Sequence, residues 1–60
     1  RKTALFEDRI QNYIGLGAGN RKTALRWIFE SDNISFDDPG YACYLLNIPY
    51  SYEDEFRSIK

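Results

Sequence analysis

Histidine and methionine are absent from these sixty residues, and there is a single cysteine, Cys43. The lone thiol has no partner for an internal disulfide. Without histidine there is no set of four N/S ligands for a structural zinc ion. A nucleophilic role for Cys43 requires an adjacent base, and no imidazole exists to serve. No metal, cofactor-binding or catalytic residue is therefore assigned. Long apolar runs are missing too. Nothing approaches the eighteen or so consecutive apolar residues of a membrane span, and nothing resembles the apolar core of a signal peptide. An unpaired thiol with no export signal points to a reducing, cytoplasmic setting. The chain opens on Arg1 and not on Met, so what precedes it is left open.

Net charge is also small, −1 at pH 7, so the chain has no overall basic footprint for nucleic acid. The charge is unevenly distributed. Residues 1–30 hold six basic and three acidic side chains, and residues 31–60 hold two basic and six acidic. A small dipolar domain can be steered toward a partner even when its sum is near zero.

What the chain does have is aromatic: ten of sixty residues. A single small domain over residues 1–60 buries only about 60% of its unfolded surface, and large rings help such a core. The apolar spacing predicts an all-α fold, a compact bundle of three helices with a short fourth at the C-terminus. Helix one is expected over Thr3–Ile14, with Phe6, Ile10, Tyr13 and Ile14 on one face and Thr3 as its cap. Gly15-Leu16-Gly17-Ala18-Gly19 is expected to end it. Asn20 then reads as the N-cap of helix two, Arg21–Ser31. Ala24, Leu25 and Ile28 make its core line, Trp27 and Phe29 its margins, and Lys22, Arg26 and Glu30 an exposed charged stripe. Ile34 and Phe36 are expected to pin the following loop to the core.

Asp38-Pro39 is a strong helix start, a cap followed by proline at the first helical position. Helix three is expected over Pro39–Leu46, with Asn47 closing it and Pro49 preventing continuation. It is apolar nearly all round, which predicts the most buried helix. Ser51 is the expected start of a short last helix carrying Phe56. Arg-Lys-Thr-Ala-Leu occurs at residues 1–5 and 21–25, but two copies fall short of a repeat array. Asn33-Ile34-Ser35 matches a glycosylation sequon and, without an export signal, is read as chance.

Asn20-Arg21-Lys22-Thr23-Ala24-Leu25-Arg26-Trp27-Ile28 resembles the recognition helix of helix-turn-helix DNA-binding families, over residues 4–28 with the preceding helix. That resemblance implies a transcriptional regulator. It places Arg21, Lys22, Thr23 and Arg26 toward the major groove or its phosphates. The turn is longer and richer in glycine than the usual three or four residues. A second resemblance rests on Arg21-Lys22-Thr23-Ala24-Leu25-Arg26-Trp27, on Asp37-Asp38-Pro39-Gly40-Tyr41-Ala42-Cys43-Tyr44 and on Ile48-Pro49-Tyr50. These segments are similar to those of small bacteriophage-encoded proteins, which implies a phage or mobile-element origin and not an activity; by analogy, such proteins often bind and inhibit a host protein.

The two resemblances define two expectations. The first is a non-enzymatic protein-interaction module. Its contacts come from Tyr50, Tyr52, Glu53, Asp54 and Glu55 with the Lys22/Arg26 stripe, since exposed tyrosines anchor interfaces; Tyr41 and Tyr44 either join Tyr50 and Tyr52 in an aromatic patch or fill the core. Homo-oligomers fit the same expectation. The second is a helix-turn-helix DNA binder using Arg21, Lys22, Thr23 and Arg26.

Overall fold

The computed structural model describes residues 2–59, Lys2 by its backbone alone, and contains helices and no strand among them. Helix α1 spans Lys2–Tyr13 and widens into a π-type turn over Ile14–Ala18. Helix α2 follows at Arg21–Ser31, and α3 at Pro39–Leu46. A 3₁₀ turn, Tyr50–Tyr52, leads into α4, Glu53–Arg57. Helix α1 packs on α2, and α3 packs on α4.

Local side-chain chemistry accounts for most of these boundaries. Asn20 is extended, and its Oδ1 accepts a hydrogen bond from the Thr23 N–H at 2.9 Å. That satisfies one of the orphan donors of the first turn. Asp38 does the same for Tyr41 N–H at 3.1 Å, with Pro39 preset for the first helical position. Both α2 and α3 close by the same device. Asn33 and Asn47 adopt left-handed backbone, φ 56° and 61°. The next residue, isoleucine in both cases, sends its N–H back to Phe29 O (2.8 Å) or Cys43 O (3.1 Å). This is the Schellman closure, in which a small polar residue takes the left-handed position and an apolar one folds back onto the helix. Ile34 and Ile48 are accordingly buried. The sequon residues Asn33 and Ile34 have this structural role.

Four expectations about the helices and their ends need correction. Thr3 lies inside α1 and not before it. The glycine run does not stop the helix at once: the chain keeps turning through Gly15 and Leu16 and breaks at Gly17, where φ is 126°. Ser51 sits within the 3₁₀ turn, which has no side-chain cap, so Glu53, Asp54 and Glu55 form the first turn of α4. Helix α3 is not the most buried. Its Ala42 and Cys43 are fully enclosed, whereas Tyr41, Tyr44 and Leu45 are exposed. A helix this short at the surface turns only one side inward, and an all-apolar sequence leaves apolar groups outside.

The core runs from Phe6 and Ile10 of α1 through Ala24, Leu25, Ile28 and Phe29 of α2 to Ala42, Cys43, Phe56 and Ile59. Phe29, expected at a margin, is central. Its ring meets Phe56 edge-on at 4.9 Å and stacks on Phe36 at 5.4 Å, an arrangement favoured by the ring quadrupoles. Phe36 and Ile34 thereby pin the loop as expected. The two Arg-Lys-Thr-Ala-Leu copies part company in space. Ala24 and Leu25 are buried, whereas Ala4 and Leu5 are exposed, and Arg1 lies outside the described residues.

Candidate functional site

Helix α3 reads Pro-Gly-Tyr-Ala-Cys-Tyr-Leu-Leu and carries no charge. Ala42 and Cys43 face the core, so residues 41, 44 and 45 fall together on the opposite side. The exposures decide what this side is: Tyr41 54%, Tyr44 67% and Leu45 47%, with Tyr50 at 59% beyond the helix end. Tyr41 and Tyr44 stack on each other at 6.0 Å, 20° apart in plane. Their hydroxyls and that of Tyr50 form no hydrogen bond among the described residues. The left-handed turn at Asn47 and the extended Pro49, φ −60°, bring Tyr50 back alongside α3. An open recess of about 430 Å³ results, with Tyr44, Leu45 and Tyr50 at its rim and Cys43 and Ile48 beneath. Burial pushes the Cys43 thiol up, and the nearby Glu53 charge adds to this, so Cys43 is a poor nucleophile there.

The other end of α3 is acidic. Asp38 caps the helix. Glu53 of α4 lies so close that a Cβ on Gly40 would sit 2.7 Å from its Oε2; glycine permits the approach. Neither Asp38 nor Glu53 has a cationic partner among the described residues. Residues 27–56 contain no Lys or Arg, and three of their seven acids are paired by arginines from outside the stretch: Asp32 by Arg9, Glu55 by Arg21 and Asp54 by Arg57.

A second cluster draws candidate residues into internal contacts. Arg21 donates from Nη1 and Nη2 to the two oxygens of Glu7, at 2.7 and 2.8 Å. It also donates from Nε and Nη2 to Glu55. Tyr52 donates its hydroxyl to Glu7. Arg21 hydrogen bonding, with help from Tyr52 and against some desolvation, holds Glu7 down at about 2. Burial first, and then the Glu7 carboxylate, push Tyr52 up to about 12. Both carboxylates raise the Arg21 pKa above its ordinary value. Arg26 donates from Nε to Ile59 O at 2.8 Å.

The expected partner-binding residues are thus dispersed. Tyr50 lines the recess and Glu53 edges the α3 face. Tyr52 and Glu55 are tied to Glu7 and Arg21. Asp54 is exposed on α4, 3.2 Å from Arg57. Lys22 and Arg26 are exposed on α2. Of the residues expected at DNA, Lys22 and Arg26 remain open to solvent and Thr23 is half-buried, but Arg21 is held by two carboxylates. Tyr41 and Tyr44, open on the sequence between an aromatic patch and core filling, prove exposed; Leu45 was absent from the expected site, although the charge-free run from Pro39 to Leu46 flags it. Among the described residues no three His, Cys, Asp or Glu side chains lie close enough to hold a metal ion. None of the described helices is long and apolar enough to cross a membrane. No protein-family profile, curated protein or solved structure matches the chain.

Proposed function

We propose that the protein is a non-enzymatic protein-interaction module that binds through the outer face of α3. The observation that carries this reading is the recess between Tyr44, Leu45 and Tyr50 beside the Tyr41–Tyr44 stack, aromatic and unpartnered in so small a chain. Tyrosines of this kind supply large, stiff contact area and are enriched where binding energy concentrates. On the resemblance read from residues 21–27, 37–44 and 48–50, the partner proposed is a host protein and the role that of an inhibitor or accessory factor.

The test is affinity capture from nuclease-treated host lysate with the wild type and with a Tyr44→Ala, Leu45→Ser variant of unchanged helicity. A protein retained by the first and lost by the second supports the reading; identical recoveries overturn it. The DNA-binding reading draws support from Lys22 and Arg26, both exposed and one helical turn apart on α2. It expects recovery of DNA that disappears with Lys22→Ala and Arg26→Ala and that weakens steeply with salt.

A further inference from the structure

We infer that the α3 face takes a cationic amphipathic segment of the partner protein. One aliphatic side chain would enter the Tyr44–Leu45–Tyr50 recess, and Lys or Arg would lie over the Asp38–Glu53 end. This inference rests on the protein-interaction reading above and adds the chemistry of the partner.

Charge decides between the possible occupants. The apolar face ends on Asp38 and Glu53, neither with a cationic partner among the described residues. A second copy docking α3 on α3 would set acid against acid if parallel. If antiparallel, it would set acid against the negative C-terminal end of the helix dipole. Anionic surfaces, whether lipid or nucleic acid, meet the same repulsion. A basic apolar segment meets none of these penalties. Its cations gain the two carboxylates, and the open faces of Tyr41 and Tyr44 can accept them through cation–π contact. An eight-residue helix is about 12 Å long, which sets the separation between the aliphatic anchor and the basic group.

Three synthetic amphipathic peptides test this by fluorescence anisotropy on the full chain. They share one leucine face and carry polar positions that are all Lys, all Gln or all Glu. The Lys peptide is expected to bind about tenfold or more tightly than the Glu peptide, with Gln between and the spread narrowing at high salt. Asp38→Asn keeps the helix cap. Combined with Glu53→Gln, it should bring the Lys peptide to the affinity of the Gln peptide. Tyr44→Ala should weaken the Lys peptide by about tenfold, with circular dichroism confirming an intact helical signal.

Equal binding of all three peptides, lost on Tyr44→Ala, overturns the cationic partner and leaves the protein-binding face standing. A concentration-dependent dimer in sedimentation, abolished by Tyr44→Ala, overturns it in favour of a second copy. Binding of the Lys peptide that neither variant alters overturns the assignment to α3. Absence of any peptide binding overturns the inference; only if capture from lysate is also indifferent to Tyr44→Ala does the underlying reading fail with it.

Discussion

Arg21 and Glu7 meet fork to fork, through parallel hydrogen bonds of 2.7 and 2.8 Å, and fasten the first residue of α2 to α1. The same guanidinium reaches across to Glu55 of α4. One side chain thus bridges the α1–α2 and α3–α4 halves, a geometry that the planar guanidinium satisfies and an ammonium does not. About a third of each partner remains exposed, so solvent screens the pairs and each is worth well under a buried one. Arg21→Met is expected to cost about 1–2 kcal/mol, because it leaves both carboxylates unpaired. Arg21→Lys should restore less than half of that. Urea denaturation of the three proteins checks the order.

Acid and alkali should both weaken this cluster, each through a different member. Glu7 is held at about 2, below its ordinary 4.5. Its contribution is complete above 4.5 and is lost as pH falls toward 2. Tyr52 is raised from 10.0 to about 12. Its contribution is complete below 10 and is lost as pH climbs toward 12. The melting temperature should therefore decline on both sides of a neutral plateau. Glu7→Gln should lower the plateau and flatten the acid limb. An acid limb of unchanged slope would remove Glu7 from the account.

The paired Asn-Ile closures make a stereochemical prediction. Left-handed backbone costs a β-branched residue about 1–2 kcal/mol and glycine almost nothing. Asn33→Val and Asn47→Val should each destabilise by about that amount. Asn33→Gly and Asn47→Gly should stay within about 0.5 kcal/mol of wild type. Thermal denaturation of the four variants checks it.

Two glycines two residues apart should respond oppositely to alanine. Gly17 sits at φ 126° with Trp27 Cη2 3.8 Å from where a Cβ would stand, while Gly15 has nothing within 4 Å. Gly17→Ala should destabilise by about 1–3 kcal/mol. Gly15→Ala should stabilise by about 0.4–1 kcal/mol, since it restricts the unfolded chain without straining the folded one. The difference in urea midpoint between the two variants is the measurement.

The starts of α2 and α3 were legible because capping is local: Asn20 and Asp38-Pro39 each act within three residues, whereas Thr3 and Ser51, read as starts, lie inside α1 and the 3₁₀ turn. Asn47 was readable for the same reason, and Asn33 would have been, had its Asn-Ile context been compared with Asn47-Ile48. The outward face of α3 was not legible. With no polar residue between 39 and 46, periodicity has nothing with which to mark the solvent side. The fate of Arg21 was hidden differently. Its partners stand 14 and 34 residues away in sequence, and no spacing rule anticipates a bridge between three helices. The expected site therefore included Tyr52 and Glu55, which the fold engages internally, left Tyr41 and Tyr44 open between patch and core, and omitted Leu45.

The ring of Phe56 touches Tyr52 in its own half, and Phe6 and Phe29 in the other. Each half is a helical hairpin whose pairings are close in sequence, and chains of that sort reach their native topology in microseconds to milliseconds. Neither hairpin encloses its rings alone. Phe56 marks the step at which the two units dock, the one moment in folding when distant parts of the chain must find each other. A conservative Phe56→Leu change should for that reason register in the folding rate if docking limits it, and in the unfolding rate if docking follows the barrier.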